Sequence, residues 1–112
     1  MTTAPDAIDA DIRKFLDAAD RARAAKNDSQ RRATRTFLIN RANDLRHRRD
    51  ALRIRMDTGW AWLNDHPDDD DFEIRERRLL TWIADYERIC AALQDGLDRW
   101  LGPFPASTRK AA

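Results

Sequence analysis

Valine is missing from this chain altogether, and glycine occurs only three times in 112 residues. With strand formers so scarce and eighteen alanines present, extended sheet structure is excluded as a major component and an all-α chain is expected. The single cysteine, Cys90, rules out an internal disulfide and suits a reducing compartment. No apolar run comes near the ~20 residues of a membrane span, and the N-terminal stretch has no signal-peptide core. The expectation is a soluble, cytoplasmic protein with one helical domain over residues 1–101. Gly102, Pro103 and Pro105 then end the last helix and open a disordered tail over 102–112.

Lysine is as scarce as glycine, three against eighteen arginines. That bias, with the alanine, is the habit of GC-rich bacterial, plasmid or phage genes. The net charge is only +1, but it is segregated: residues 1–20 carry −3, 21–55 +9, 56–76 −7 and 77–112 +2. A charge-divided rod or bundle follows.

Three helices account for the apolar spacing. The first is expected from about Pro5 to Lys26, with Thr3 and Asp6 as a capping pair and Ile8, Ile12, Phe15, Leu16 and Ala19 on one face. At "KNDSQ" Asn27 can take a left-handed turn and Asp28 or Ser29 can cap the next helix. The second runs from Gln30 to Leu63 and the third from Pro67 to Leu101. Leu38, Ala42, Leu45, Arg49, Leu52, Met56, Gly59 and Leu63 alternate steps of four and three, as do Phe72, Glu76, Leu79, Ile83, Tyr86, Cys90, Leu93, Leu97 and Trp100. That rhythm is the seam of a coiled coil. The short connection predicts an antiparallel, coiled-coil-like hairpin (about 30–63 and 67–101) with a shorter N-terminal helix (about 5–26), a three-helix bundle.

Asp68, Asp69, Asp70 and Asp71 follow His66 and Pro67 and invite a metal reading. Calcium fails on spacing, since an EF-hand loop needs oxygens at alternate positions, a central glycine and a glutamate at position twelve. Zinc fails for want of a second His or Cys beside His66. A helix start explains the segment better. Pro67 suits the first position, the acids favour the positive end of the helix dipole, and Asp71–Arg75 and Glu73–Arg77 fall four apart. An acidic docking tip is the alternative.

The arginines of the second helix carry more information. At about 100° per residue, Arg35, Arg46 and Arg53 lie on one flank of the apolar stripe and Arg41, Arg48 and Arg55 on the other. Arg49 falls inside it. Pairing with the aspartates of the neighbouring helices absorbs part of this charge, yet the base of the hairpin keeps a positive excess. Arginine is the better residue for bidentate phosphate contact. Arg31, Arg32, Arg35, Arg41, Arg46, Arg48, Arg53 and Arg55 are therefore the candidate nucleic-acid contacts, non-specific because no base-reading motif is present. Structural ion pairs or an acidic protein partner explain the same residues.

Apolar residues are also in surplus. Trp60, Trp82 and Trp100 are expected to fill core, whereas Ile54, Trp62, Ile74 and Leu80 fall off the seam and are candidate interface residues. Nothing suggests catalysis. Nucleotide, hydrolase and metalloprotease motifs are lacking, the Asp44 and Asp50 that flank His47 cap or pair with adjacent arginines instead of orienting its imidazole, and Cys90 sits at a core position. No metal, cofactor, membrane or small-molecule substrate is expected.

In size, helicity and charge the chain is similar to the small all-helical subunits of multi-protein nucleic-acid complexes, such as those that line CRISPR effector filaments. That resemblance implies a non-enzymatic subunit that packs against other protein subunits or its own copies and lies along a nucleic-acid backbone. The alternative is a protein-only coiled-coil adaptor or chaperone-like module.

Overall fold

The computed structural model describes residues 4–102, and side chains from residue 7 onward. It is an up-down-up bundle of three helices: α1 (Ala4–Ala24), α2 (Asp28–Asp65) and α3 (Phe72–Leu101). No strand occurs among the described residues. At ~1.5 Å per residue, α2 with its 38 residues is about 57 Å long. The radius of gyration is 18.0 Å, well above the ~13 Å of a compact 100-residue domain, so the molecule is elongated.

The helix boundaries differ from the expected ones for local reasons. Asn27 keeps an extended backbone (φ −138°) and caps α2 itself, its Oδ1 accepting the Gln30 N–H at 2.8 Å. Gln30 Oε1 in turn accepts the Lys26 N–H at 2.9 Å. This reciprocal arrangement, close to a capping box, lets α2 begin at Asp28 and ends α1 at Ala24. At the other end α3 begins at Phe72, not Pro67. The aspartates form a tight turn instead: the Asp71 N–H donates to Asp69 Oδ1 at 2.8 Å and the Phe72 N–H to the Asp69 carbonyl at 3.0 Å. Only Glu73 is an acid in the first turn of α3, and neither an Asp71–Arg75 nor a Glu73–Arg77 ion pair forms among the described residues. Gly102, at φ 80°, ends α3 as its lack of a Cβ allows. Thr3, Pro103, Pro105 and the expected tail beyond Gly102 lie outside the described residues.

The core is one cluster built from all three helices. Leu38, Leu45 and Leu52 bury every seventh position of α2, and Leu45 is fully buried. On α3 Leu79 is buried as the expected seam requires, but beyond it the buried line is Asp85, Ile89, Ala92 and Gly96, one step round from that seam. Tyr86, Cys90 and Leu93 are consequently only half-buried, and Glu76 and Leu97 are exposed. The cause is α1. Its Phe15 ring lies directly against Gly96, so closely that a Cβ there would overlap it, and α3 turns its small residues toward α1 rather than toward α2.

α1 is also fixed by charge. Asp11 accepts from Arg48 Nε of α2 at 2.6 Å, Asp20 from Arg99 of α3 at 3.2 Å, and Asp9 pairs with Arg88 of α3. Arg88 also holds the one buried acid among the described residues, Asp85, at 3.1 Å. A buried carboxylate without that partner would be costly.

Candidate nucleic-acid interface

The structure divides the eight candidate arginines into two groups. Four are engaged with carboxylates: Arg31 with Asp28 at 3.0 Å, Arg41 with Asp44 at 3.9 Å, Arg48 with Asp11, and Arg53 with Asp57 at 3.7 Å. Arg41 also lies 4.8 Å from the Phe37 ring centroid. Arg32, Arg35, Arg46 and Arg55 are exposed and have no carboxylate within ion-pair distance among the described residues.

Position on the helix separates them further. Arg48 faces α1, whereas Arg53 faces α3, donating a long 3.5 Å hydrogen bond to the Tyr86 hydroxyl. That hydrogen bond, and then the Asp57 carboxylate, push the Arg53 guanidinium above its ordinary pKa. Arg46 and Arg53 thus share the α3 side of α2, whereas Arg35, nearer the base, lies beside Trp100 and the end of α1.

Between Arg46 and α3 lies an open groove of about 480 Å³. Its floor is apolar: Phe15, Leu38, Ala42, Leu93, Leu97 and Trp100 contribute, with Arg46 and Arg49 on the α2 wall and Gln94 on the α3 wall. Cys90 lines it too, so the thiol is at a groove rather than sealed in core. The groove exists because α3 is rotated toward α1, which leaves the expected seam partly unzipped at this end. Trp100 also lines a neighbouring recess of about 390 Å³ shared with Arg23, Arg31 and Arg35.

The candidate interface residues are scattered rather than gathered. Ile54, Ile74 and Leu80 are exposed at 68%, 57% and 58%, so each has surface to offer. Trp62 is half-buried and already occupied: His66 stacks on it at 4.4 Å and the Arg75 guanidinium lies 4.2 Å from its ring. The His66 Nδ1–H donates to the Trp62 carbonyl at 2.9 Å, which makes the imidazole a helix end-piece. Trp60, expected in the core, is 57% exposed, while Trp82 and Trp100 pack against it.

No group of three or more His, Cys, Asp or Glu side chains is placed to hold a metal ion among the described residues. No helix among them is long and apolar enough to cross a membrane. No protein family, curated protein or solved structure matches the chain.

Proposed function

We propose that this chain is a non-enzymatic helical subunit of a multi-protein nucleic-acid complex, and that it holds a single strand along the α2–α3 groove. The observation that carries this reading is the one-sided placement of free charge. Arg46 stands on the α2 wall without a carboxylate partner, Arg35 in the neighbouring recess and Arg32 continue the row toward the helix start, and the opposing α3 wall offers Leu93, Gln94, Leu97 and Trp100. A single strand has a matching division, with phosphates along one edge and bases that can lie on apolar and aromatic surface along the other. A duplex, charged on all its outer surface, has no use for the apolar floor. The exposed Ile54, Ile74 and Leu80 are the surfaces through which such a subunit would pack against other chains.

The test is fluorescence anisotropy with labelled single-stranded and duplex oligonucleotides at about 50 mM salt, where phosphate contacts are strong. The single strand should bind more tightly. Arg35→Glu/Arg46→Glu should weaken it at least roughly tenfold and flatten the dependence of log Kd on log salt by about one per residue removed, with helicity by circular dichroism unchanged. An affinity indifferent to both substitutions would sink the reading. The rival, a protein-only interaction module, is supported by the surplus of exposed apolar side chains, and absence of any oligonucleotide binding at low salt would favour it.

A further inference from the structure

α1 rests on a seat with two walls. On α2, Thr34 and Phe37 lie beside Ala18 and Arg21, and Arg48 holds Asp11. On α3, Arg99 holds Asp20, Gly96 lies under Phe15, and Arg88 holds Asp9. Steps of three and four carry both walls beyond the start of α1. On α2 they pass from Arg48 and Leu52 to Arg55, Gly59 and Trp62, and on α3 from Asp85 to Trp82, Arg78 and Arg75. These tip residues, with Ile54 and Thr58, line a recess of about 220 Å³.

The recess repeats the chemistry of the seat. Its lining is mainly apolar, it includes no acid, and arginines rim both walls, Arg55 on α2 and Arg75 and Arg78 on α3. Arg55 and Arg78 have no carboxylate within ion-pair distance among the described residues. Length can be judged from the register. From Arg88 to Arg75 along α3 is about 20 Å, and α1 continues past Asp9 to Ala4 for about 7.5 Å, so about 12 Å of seat lies beyond it. That is roughly two turns of helix.

We propose that the tip recess receives an acidic amphipathic helix of a partner protein, docked end to end with α1. The partner's apolar side chains would rest on Gly59, Trp62 and Trp82, and its acids would meet Arg55 on one side and Arg78 on the other. α1 already shows what fits such walls: Asp11 reaches α2 while Asp9 and Asp20 reach α3. A two-turn contact is small for a stable complex, so the docking is weak or forms one part of a larger interface.

A helix of the required chemistry is at hand in α1 itself. The probe is a synthetic peptide of residues Ala4–Ala24, stapled on its outward face to hold it helical, titrated into the isotope-labelled full chain. The indole N–H signals of Trp62 and Trp82 should move while those of Trp60 and Trp100 stay. Arg55→Glu/Arg78→Glu should weaken the binding about tenfold or more, the size expected when two partly exposed attractions become repulsions. A peptide with its four paired or exposed aspartates, Asp9, Asp11, Asp17 and Asp20, replaced by asparagine should lose a similar factor. The proposal is overturned by silence of Trp62 and Trp82 up to roughly 1 mM peptide, by movement of Trp100, or by indifference to the arginine reversals. It is equally overturned if the peptide-free chain self-associates with the same Trp62 and Trp82 shifts, which would give the recess to a second copy. None of these readouts involves nucleic acid, so this proposal and the groove reading fail separately.

Discussion

Replacing Gly96 by alanine tests whether α1 sets the register of the whole bundle. In a free helix this change stabilises by about 1 kcal/mol, since glycine loses more backbone entropy on folding. Here a Cβ on Gly96 would lie within 3.0 Å of Phe15 Cε2 and Cζ and 3.1 Å from Cδ2. Ordinary carbon contacts need ~3.5–4.0 Å, so the ring, only 3% exposed, must move by an ångström or so or take α1 with it. Overpacking of that kind costs about 1–3 kcal/mol, and complete loss of a buried phenylalanine about 3–5. Displacement therefore costs about 2–4 kcal/mol, against ~1 gained in propensity, and a net loss of about 1–3 kcal/mol remains. Thermal unfolding followed by circular dichroism should fall by roughly 10 °C. Gly59→Ala is the matched control: its Cβ would meet Leu79 Cδ1 at 3.3 Å and Trp82 Cζ3 at 3.5 Å. Those are ends of side chains that can yield, so this variant should be neutral or gain a few tenths of a kcal/mol up to ~1. The decisive measurement is the double-mutant cycle with Phe15→Leu. With the ring gone, Gly96→Ala should change sign and stabilise. If Gly96→Ala alone behaves like Gly59→Ala, the Phe15–Gly96 contact does not fix α1, and the explanation given for the open α2–α3 groove is wrong.

Two further predictions concern the pieces that hold the bundle together. Asn27→Ala removes the cap of α2 and should cost about 1 kcal/mol, roughly a 4–8 °C drop in Tm, whereas Ser29→Ala should leave Tm unchanged; the reverse order would show that Ser29 is the cap. Asp9→Asn/Asp11→Asn/Asp20→Asn removes the three ion pairs between α1 and the hairpin. Each is partly exposed, so the combined cost should be about 1–2 kcal/mol and should shrink as salt is raised toward ~1 M. Melts of wild type and variant in low and high salt that stay parallel would show these pairs to be electrostatically idle.

The three-helix architecture could be read from spacing because leucines at every seventh position of α2 have only one way to be buried. Leu38, Leu45 and Leu52 are where the periodicity puts them. The cap at Asn27 is also legible, since Asn27 and Gln30 stand three apart, the separation a capping box uses, although Asp28 and Ser29 are capping residue types that offer competing starts. Helix α3 was harder. Its three-four pattern is satisfied equally well by Tyr86–Cys90–Leu93–Leu97 and, one step round, by Asp85–Ile89–Ala92–Gly96 once alanine and glycine count as contact residues. Periodicity sees apolar character, not the fit of a phenylalanine into the space beside a glycine, so the rotation of α3 and the groove it opens could not be found in one chain's spacing. The four aspartates misled for a different reason. Acids before an apolar run mark a helix start in general, but Asp69 accepts hydrogen bonds from two residues downstream and turns the chain before the helix begins.

The two flanks of arginine along α2 become, once α1 is seated, surfaces with different requirements. On the α1 side, arginines stand on both walls: Arg48 opposes Arg88 and Arg99 where α1 lies, and Arg55 opposes Arg75 and Arg78 beyond it. An object held there must be acidic on two flanks and apolar between them, as an amphipathic helix is. On the α3 side, Arg46 faces a wall of leucine, glutamine and tryptophan, with Arg35 beside Trp100 at one end and Arg53 beside Tyr86 at the other. An object held there must be charged along one edge only, and a single nucleic-acid strand meets that condition while an acidic helix would leave half its carboxylates on apolar surface without partners. The two proposed ligands are therefore not interchangeable. Reversal of Arg35 and Arg46 should leave the α1 peptide bound at the tip, and reversal of Arg55 and Arg78 should leave the oligonucleotide bound in the groove; measured together on both variants, cross-sensitivity would show that net charge rather than wall geometry governs binding.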